Sequence, residues 1–258
     1  MYLDKIIHSH RSAAAHEQRN LDDLVEQVSS FPQTRGFERH LRQASTQHLA
    51  VIAEIKRKSP SKGDLFADLD PSVVAQQYES GGASCLSVLT DQQYFGGSVI
   101  DLQQARSATT LPVIRKDFTV SEFDVLDARL MGADCVLLIA AVLSASELKR
   151  FHDLATEVGL DVLIETHDES ELDRVLGVGA SLIGVNQRDL TTFEVDHQRA
   201  ERMAALIPAS AIRVAESGVR DAGDARRLRN AGYDAVLVGE SIVTSEDPVE
   251  SVRKLLVS

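Results

Sequence analysis

The sequence predicts a (β/α)8 TIM barrel, a ring of eight parallel strands inside a ring of helices, with an N-terminal helical extension. Three observations predict this fold. Short β-rich runs recur, amphipathic helical stretches separate them, and the runs are apolar throughout, which is typical of parallel strands covered on both faces. Eight such units in about 210 residues fit a closed barrel, and an open doubly wound sheet is the alternative. The runs occupy residues 49–55, 84–90, 111–116, 133–140, 161–165, 181–186, 211–216 and 234–239.

The stretches between the runs carry helix boundary signals. Several begin on Ser or Asp, whose side chains cap a helix N-terminus, and end near Gly, which favours the left-handed turn after a helix. We therefore predict helices that cover the sheet in these stretches. Examples are residues 71–82, 120–134, 144–160, 168–180 and 221–234.

The first 47 residues do not follow this alternation. Residues 3–18 and 21–31 are predicted as two helices, and a polar segment rich in Arg and Gln leads from them to the first strand. We predict that residues 1–47 form a helical extension and that residues 48–258 form the barrel, within a single domain.

Charge and composition exclude several classes of protein. The chain has 27 Lys and Arg against 39 Asp and Glu, a net charge of -12, which argues against a general binder of nucleic acid or anionic membranes. Apolar runs such as residues 135–143 are too short to span a bilayer, and the N-terminus lacks the apolar core of a signal peptide. We expect a soluble, cytoplasmic protein. Cys85 and Cys135 each begin an apolar segment, so we expect them buried and free.

Polar residues cluster where the predicted strands end. Barrel active sites form at the C-terminal ends of the strands, so these positions are candidate site residues. Side chains two residues apart on a strand point the same way, so Glu54, Lys56 and Lys58 would share one face. Because the strands have almost no internal charge, the pattern indicates a catalytic mouth. The other polar strand ends are Arg115-Lys116-Asp117, Glu165, Asn186 with Arg188 and Asp189, and Glu216-Ser217-Gly218.

The last two strand ends both place Gly and Ser at a strand-to-helix turn. AESGV contains Ser217 and Gly218, and VGESI contains Gly239, Glu240 and Ser241. Unpaired backbone N–H groups at such turns bind phosphate, and barrels commonly form a phosphate site after their seventh and eighth strands. The sequence therefore predicts a phosphate site between these two turns.

Segments along nearly the whole chain resemble one family, the indole-3-glycerol phosphate synthases. EIKRxSPSxG together with RKDF is the most specific of these patterns, and the N-terminal LDKII helix resembles the family's helical extension near the barrel mouth. The matching segments, in order, are AEIKRKSPSKGDL, LSVLTDQQYFGGS, PVIRKDF, GADCVLLIA, VLIETHDESEL, IGVNQRDLTTFEVD, VAESGV and VLVGESI.

The resemblance implies a carboxy-lyase of tryptophan biosynthesis. Such an enzyme closes the ring of 1-(2-carboxyphenylamino)-1-deoxyribulose 5-phosphate with loss of CO2 and water, giving indole-3-glycerol phosphate. It implies no metal, nucleotide or organic cofactor, and the chain lacks GxxxxGK[ST], a strand-linked GxGxxG, HExxH and CxxC. His8 and His10 lie in a helix that we expect on the surface, without a metal. We expect a monomer with a phosphorylated small molecule as its partner.

Ring closure needs an acid at the ketone oxygen and later an acid and a base for dehydration. By resemblance Lys116 and Lys56 are the acids, Glu54 is the base of the dehydration, and Glu165 is a second carboxylate that positions or relays protons. The resemblance leaves open which lysine acts in which step. Asn186 and Ser217 complete the catalytic set that the resemblance implies.

The remaining matches are substrate contacts. Two departures from the family's pattern are Glu240, where many relatives have Ser or Ala, and Gln187, where Asn is frequent. We expect the Glu240 side chain to point away from the phosphate while its N–H contributes, and Gln187 to face outward. The substrate-binding residues implied by resemblance are Lys58, Ser59, Phe95, Phe118, Arg188, Glu216, Gly218, Gly239, Glu240 and Ser241.

Two other functions fit the same architecture. A barrel like phosphoribosylanthranilate isomerase would use a Cys and an Asp, but Cys85 and Cys135 lie at strand starts, the wrong end. A catalytically silent barrel that binds a phosphorylated ligand would be marked by loss of Glu54, Lys116 or Glu165, yet all three are present.

Overall fold

The computed structural model describes residues 2–59, 62–189 and 192–258, apart from the Tyr2 side chain. Eight parallel strands close into a barrel in chain order, and the last strand pairs with the first. The predicted barrel is confirmed, and the open-sheet alternative is wrong. The strands are β1 Ala50–Ile55, β2 Cys85–Leu89, β3 Val113–Lys116, β4 Cys135–Ile139, β5 Asp161–Thr166, β6 Leu182–Asn186, β7 Ile212–Glu216 and β8 Ala235–Val238.

Helices precede the first strand and fill the connections between strands. Their N-termini are capped as predicted, because the side chains of Asp70, Ser144, Asp168 and Asp221 accept hydrogen bonds from first-turn N–H groups. The helices are α1 Tyr2–Ala15, α2 Leu21–Ser29, α3 Phe37–Ala44, α4 Pro71–Gly81, α5 Gln92–Phe95, α6 Val99–Ala108, α7 Glu122–Leu130, α8 Ala145–Glu157, α9 Glu169–Gly177, α10 His197–Ala204, α11 Ala222–Asn230, α12 Glu240–Val243 and α13 Pro248–Arg253.

The structure differs from the prediction before β1, where the polar segment contains a third helix, α3. Phe37 and Leu41, one turn apart on α3, are 0% exposed and pack on apolar residues inside the barrel. The N–H of Glu38 donates to Asp161 Oδ2, at the start of β5, over 2.9 Å. Helix α3 therefore closes the N-terminal end of the barrel. The composition of FERHLRQA conceals it, because only two apolar positions mark its buried face.

The alternation of side chains along β1 connects the barrel core to the site. Ala50 and Ile52 belong to the core inside the barrel, whereas Val51 and Ala53 pack towards the helices. The next inward residue, Glu54, reaches the cavity at the C-terminal end of the strand. The inner face of the strand thus changes from apolar to charged along its length.

Helix α1 lies beside the C-terminal mouth of the barrel. His10 Nε2 is 3.0 Å from Asp91 Oδ2, and its ring lies 5.4 Å from the ring of Phe118. Arg11 pairs with Glu147 of α8 over 2.7 Å. Helix α1 is a surface helix, as predicted, and His10 is a partly buried residue that docks it onto the mouth.

Two further predictions concern the rest of the molecule. Cys85 and Cys135 are free and buried at the starts of their strands, as expected, and burial raises the pKa of both thiols. Within the described ranges, no helix combines the length and the apolar character needed to span a bilayer.

Candidate active site

A cavity of about 430 Å³ opens at the C-terminal ends of the strands. Both acidic and basic side chains reach it, together with aromatic rings and the Gly-Ser turns. The lining residues that the sequence predicts are Glu54, Lys56, Ser59, Phe95, Lys116, Phe118, Glu165, Asn186, Arg188, Glu216, Ser217, Gly218, Gly239, Glu240 and Ser241.

Lys116, at the end of β3, lies between two carboxylates. Its Nζ is 3.1 Å from Glu165 Oε2 and 3.3 Å from Glu216 Oε2. Asn186 Nδ2 donates to the other oxygen of Glu165 over 3.1 Å. The lysine side chain is 15% exposed and both carboxylate side chains are 2% exposed, so solvent screens these charges little.

The three groups have strongly shifted pKa values. Burial alone lowers the pKa of Lys116, but the carboxylates of Glu165, Glu216 and Glu54 outweigh it and hold the pKa above its ordinary value. Burial raises the pKa of Glu216 to about 8, with Glu165 adding to the shift and Lys116 opposing it. Burial alone would raise the pKa of Glu165, but Lys116 and His167 outweigh this effect and lower the pKa. Lys116 is therefore an ammonium beside an ionised Glu165, and Glu216 is the carboxyl group of the pair that binds a proton more readily.

Glu54 and Lys56 form a second ion pair in the cavity. Lys56 Nζ donates to Glu54 Oε1 over 2.6 Å. Two inward glycines leave room for the carboxylates: a Cβ on Gly239 would lie 2.6 Å from Glu54 Oε1, and one on Gly184 would lie 2.1 Å from Glu216 Oε1. A glycine inside a strand often marks such a close approach, and Gly184 is a site residue that our sequence analysis missed.

The turn after β7 has an unusual backbone. Ser217 and Gly218 are consecutive left-handed residues with φ of 64° and 75°, and a non-glycine residue at positive φ is strained by about 1 kcal/mol or more. Gln187 Nε2 donates to Ser217 O over 2.7 Å, and Ser241 Oγ donates to Val219 O over 2.9 Å. Gln187 does not line the cavity, whereas its neighbours Asn186 and Arg188 do, which agrees with the expectation that it faces outward, and its buried side chain holds this turn.

The turn after β8 faces the same part of the cavity. Helix α12 begins at Glu240 without a side-chain cap, so no cap competes for its first N–H groups. The Glu240 carboxylate accepts a hydrogen bond from Lys62 Nζ. This ammonium offsets a negative charge that would otherwise disfavour an anion at the turn.

Apolar and polar groups line the opposite wall. The rings of Phe95 and Phe118 lie 6.4 Å apart at 43°. Ile139 adds apolar surface, and Arg188 also reaches the cavity, while its Nη1 donates to Phe193 O. Ser59 Oγ is buried and has no hydrogen-bond partner among the described residues, so it remains able to bind a ligand.

The family model for indole-3-glycerol phosphate synthase matches residues 3–255 of the chain. The chain belongs to the indole-3-glycerol phosphate synthase family. It is therefore a carboxy-lyase of tryptophan biosynthesis, and it binds a phosphorylated small-molecule substrate.

Solved structures similar to this synthase share its fold. Thiamine phosphate pyrophosphorylase from Pyrococcus furiosus has a TM-score of 0.61 at 16% identity, over 83% of this chain and 95% of that one. A structure described as "Native KDPGal structure" has a TM-score of 0.55 at 15% identity, over 80% of this chain and 92% of that one. At these identities the likeness concerns the barrel alone.

Lys58 does not line the cavity of the synthase, and neither do Arg115 and Asp189 among the predicted polar strand ends. Strand β1 ends at Ile55, and Lys58–Ser59 instead pairs antiparallel with Gly63–Asp64 in the following loop. Lys58 Nζ donates to Gln93 O over 3.0 Å. The alternation that places Glu54 and Lys56 on one face therefore does not extend to Lys58.

The cavity of the synthase also contains residues that sequence reasoning missed. Most of them lie inside the matching segments, but they are apolar or loop residues that no residue pattern marks as functional. His197 is one of them, and its Nδ1 is buried without a hydrogen-bond partner among the described residues. The missed lining residues are Lys62, Leu89, Asp91, Leu137, Ile139, Phe193, Val195, His197, Val219, Arg220, Leu237 and Val238.

At the edge of the cavity of the synthase, which Asp91 and Asp117 line, ligand atoms of His10, Asp91 and Asp117 lie within 4.8 Å of one another, as a metal site would require. Asp117 Oδ1, the oxygen that faces His10, already accepts a hydrogen bond from the N–H of Phe118 over 2.8 Å, and its Oδ2 accepts from Thr90 and Arg115. Burial alone lowers the pKa of His10, but the two aspartates outweigh it and raise the pKa. The cluster acts as an ion-paired dock for α1.

Proposed function

We propose that this cavity closes the indole ring of 1-(2-carboxyphenylamino)-1-deoxyribulose 5-phosphate, with Lys116 and Lys56 as acids and Glu54 as base. The observation that carries the assignment of roles is the position of Lys116 Nζ, 3.1 Å and 3.3 Å from two buried carboxylates inside the cavity. The neighbouring carboxylates keep this buried amine charged inside the cavity. It is well suited to a reaction in which negative charge develops on a ketone oxygen.

In the first step, the ring carbon that carries the carboxylate attacks the ketone carbon, and a new carbon–carbon bond forms. Lys116 gives a proton to the ketone oxygen as that bond forms, and loss of CO2 restores the aromatic ring. Glu165 holds the ammonium in place and compensates its charge. Glu216, whose pKa is raised by burial, lies on the other side of the ammonium and can exchange a proton within the cluster.

In the second step, the hydroxyl made from the ketone leaves as water, which needs an acid at the oxygen and a base at the proton that is lost. Lys56 Nζ and Glu54 Oε1 lie 2.6 Å apart, and they supply the acid and the base, respectively. Because Lys116, Glu165 and Glu216 titrate as a coupled set, apparent pKa values from a pH profile belong to the whole cluster.

The two ends of the cavity suit the two ends of the substrate. The turns at Ser217-Gly218 and Gly239-Glu240 offer backbone N–H groups to the phosphate. Phe95 and Phe118 line the opposite side, where an anthranilate ring would pack, and Arg188 carries the positive charge that its carboxylate needs. Binding at both ends would hold the reacting carbons near Lys116.

Formation of indole provides the direct test. The chain contains no Trp, so the near-ultraviolet absorbance and fluorescence of an indole product would stand out from the protein signal. Purified protein incubated with the carboxyphenylamino substrate, without added metal, is expected to generate this signal. A flat trace from folded protein would contradict the proposed reaction.

The phosphate assignment predicts the behaviour of Ser217→Asp. A carboxylate at this turn would repel the phosphate, so we expect the KM to rise at least roughly tenfold. Ser217→Asn is the matched control, because Asn has nearly the same shape, carries no charge and tolerates positive φ. Equal KM values for the two variants, measured by initial rates, would place the phosphate elsewhere.

A further inference from the structure

His167 is a buried histidine that the proposed reaction does not use directly. It follows β5, two residues after Glu165, and its side chain is 11% exposed. Its ring bridges two carboxylates: Nε2 is 3.3 Å from Glu165 Oε1, and Nδ1 is 3.1 Å from Glu171 Oε2. Glu171, in the first turn of α9, also accepts a hydrogen bond from the N–H of His167 over 2.8 Å. Both the ring and the backbone of His167 are thus fixed to α9.

This geometry indicates the protonation state of the ring. A neutral imidazole has one nitrogen with a lone pair, and here that lone pair would face an ionised carboxylate. An imidazolium presents an N–H to each side and avoids this repulsion. The Nε2 contact has the geometry of an ion pair and not of an aligned hydrogen bond, so charge is its main attraction.

The charges around the ring agree with this assignment. Burial alone lowers the pKa of His167, but Glu165 and Glu171 outweigh it and raise the pKa to about 10. Glu165 is faced in turn by Lys116 from β3, Glu216 from β7 and the neutral Asn186 from β6. The imidazolium is therefore a positive charge at the edge of the reacting cluster.

We propose that His167, held as an imidazolium by Glu171, is a positioning residue that keeps the Glu165 carboxylate ionised and oriented towards Lys116. The line of contacts runs from Glu171 through His167 and Glu165 to Lys116. His167 does not itself line the cavity, so it acts through Glu165. The inference rests on the role proposed for Glu165 and adds the group that maintains its charge.

The protonation state can be measured without substrate. Long-range proton–nitrogen NMR of uniformly nitrogen-15-labelled protein resolves the ring nitrogens, and a His167→Gln spectrum identifies this ring among the 8 histidines of the chain. At pH 8, where an ordinary histidine with a pKa near 6.5 is neutral, both nitrogens of His167 should carry protons. A neutral ring at pH 8 would overturn the proposal, whatever the activity of the enzyme.

The positioning role has a separate kinetic signature. In His167→Gln we expect kcat to fall about tenfold and KM to change less than about threefold, because the residue does not line the cavity. Removing a positive charge raises the pKa of every acid in the coupled cluster, so the limbs of the kcat–pH profile should move to higher pH. His167→Lys, which keeps a charge, should restore the profile in part. A uniform loss at every pH would mean a merely structural role.

Glu171→Gln provides a second arm that leaves the imidazole in place. Without Glu171 the pKa of His167 should fall, so kcat should be near the wild-type value at pH 6.5 and decline as pH rises through the lowered pKa. His152→Gln, which alters a half-buried histidine on α8, is the matched control and should leave the profile unchanged. No pH-dependent difference between Glu171→Gln and wild type would overturn the proposal. Absence of indole formation by the wild type would instead refute the proposed reaction, while the NMR result would still stand.

Discussion

The Lys116→Ala variant is expected to turn over roughly 10²- to 10⁴-fold more slowly than wild type, equivalent to about 3 to 5 kcal/mol of barrier. Two effects contribute to this loss. The ketone oxygen loses its proton donor, and Glu165 and Glu216 lose the ammonium that lies 3.1 Å and 3.3 Å from their oxygens. Without that charge the pKa of both carboxyl groups would rise, because Lys116 lowers the pKa of each.

Product binding should change much less than turnover in this variant. The phosphate turns after β7 and β8 do not involve Lys116, and an interaction made mainly in the transition state lowers kcat without an equal loss of ground-state affinity. Calorimetric titration with the product measures that affinity. Lys116→Arg separates charge from proton donation, and it should recover little activity if proton transfer is the main role.

Lys149→Ala, on the exposed face of α8, is the control for removal of a lysine. Because deletion of one member of a buried ion pair also destabilises proteins, circular dichroism must show that Lys116→Ala is folded. Turnover of the folded variant within about threefold of wild type would contradict the role of Lys116.

The largest expected effect on stability lies at the opposite end of the barrel. Phe37→Ala should lower the free energy of unfolding by about 3 to 5 kcal/mol, and Leu41→Ala by about 2 to 5 kcal/mol, because both side chains are 0% exposed inside the barrel. Urea unfolding followed by circular dichroism measures these changes.

Leu206→Ala, at a side chain that is 46% exposed, is the matched control and should change the free energy by about 0.5 kcal/mol or less. Since α3 lies far from the cavity, kcat of the folded Phe37→Ala protein should remain close to wild type. Wild-type stability of Phe37→Ala would mean that α3 is not needed to close the barrel.

These two predictions differ in how far the sequence alone supports them. The site role of Lys116 can be predicted because the residue ends an apolar run. All barrel strands end at one face, so the strand pattern is enough to bring Lys116, Glu165 and Glu216 together. The same logic predicts the phosphate turns. The strand pattern thus predicts the barrel and most of the charged site.

Other features depend on tertiary packing that no local pattern encodes. Helix α3 has only Phe37 and Leu41 to mark its buried face, and its remaining residues read as a polar linker. His10 reaches the mouth only because α1 docks there, and Lys58 leaves the predicted face because β1 ends at Ile55. The role of His167 depends on Glu171, which α9 brings back towards β5.

The position of α3 has a consequence for how the chain folds as it leaves the ribosome. Phe37 and Leu41 are synthesised early, but α3 packs against strands as late as β7. At a synthesis rate of roughly 5 to 20 residues per second, the last strands that cover this apolar pair are made on the order of ten seconds or more after the pair itself. The barrel closes equally late, because one edge of β1 has no strand partner until β8 is made and Ala50 can pair with Ala235. A chain stalled before β7 would therefore display both an unpaired strand edge and an uncovered apolar helix face, the two features that chaperones and proteases recognise in unfinished proteins.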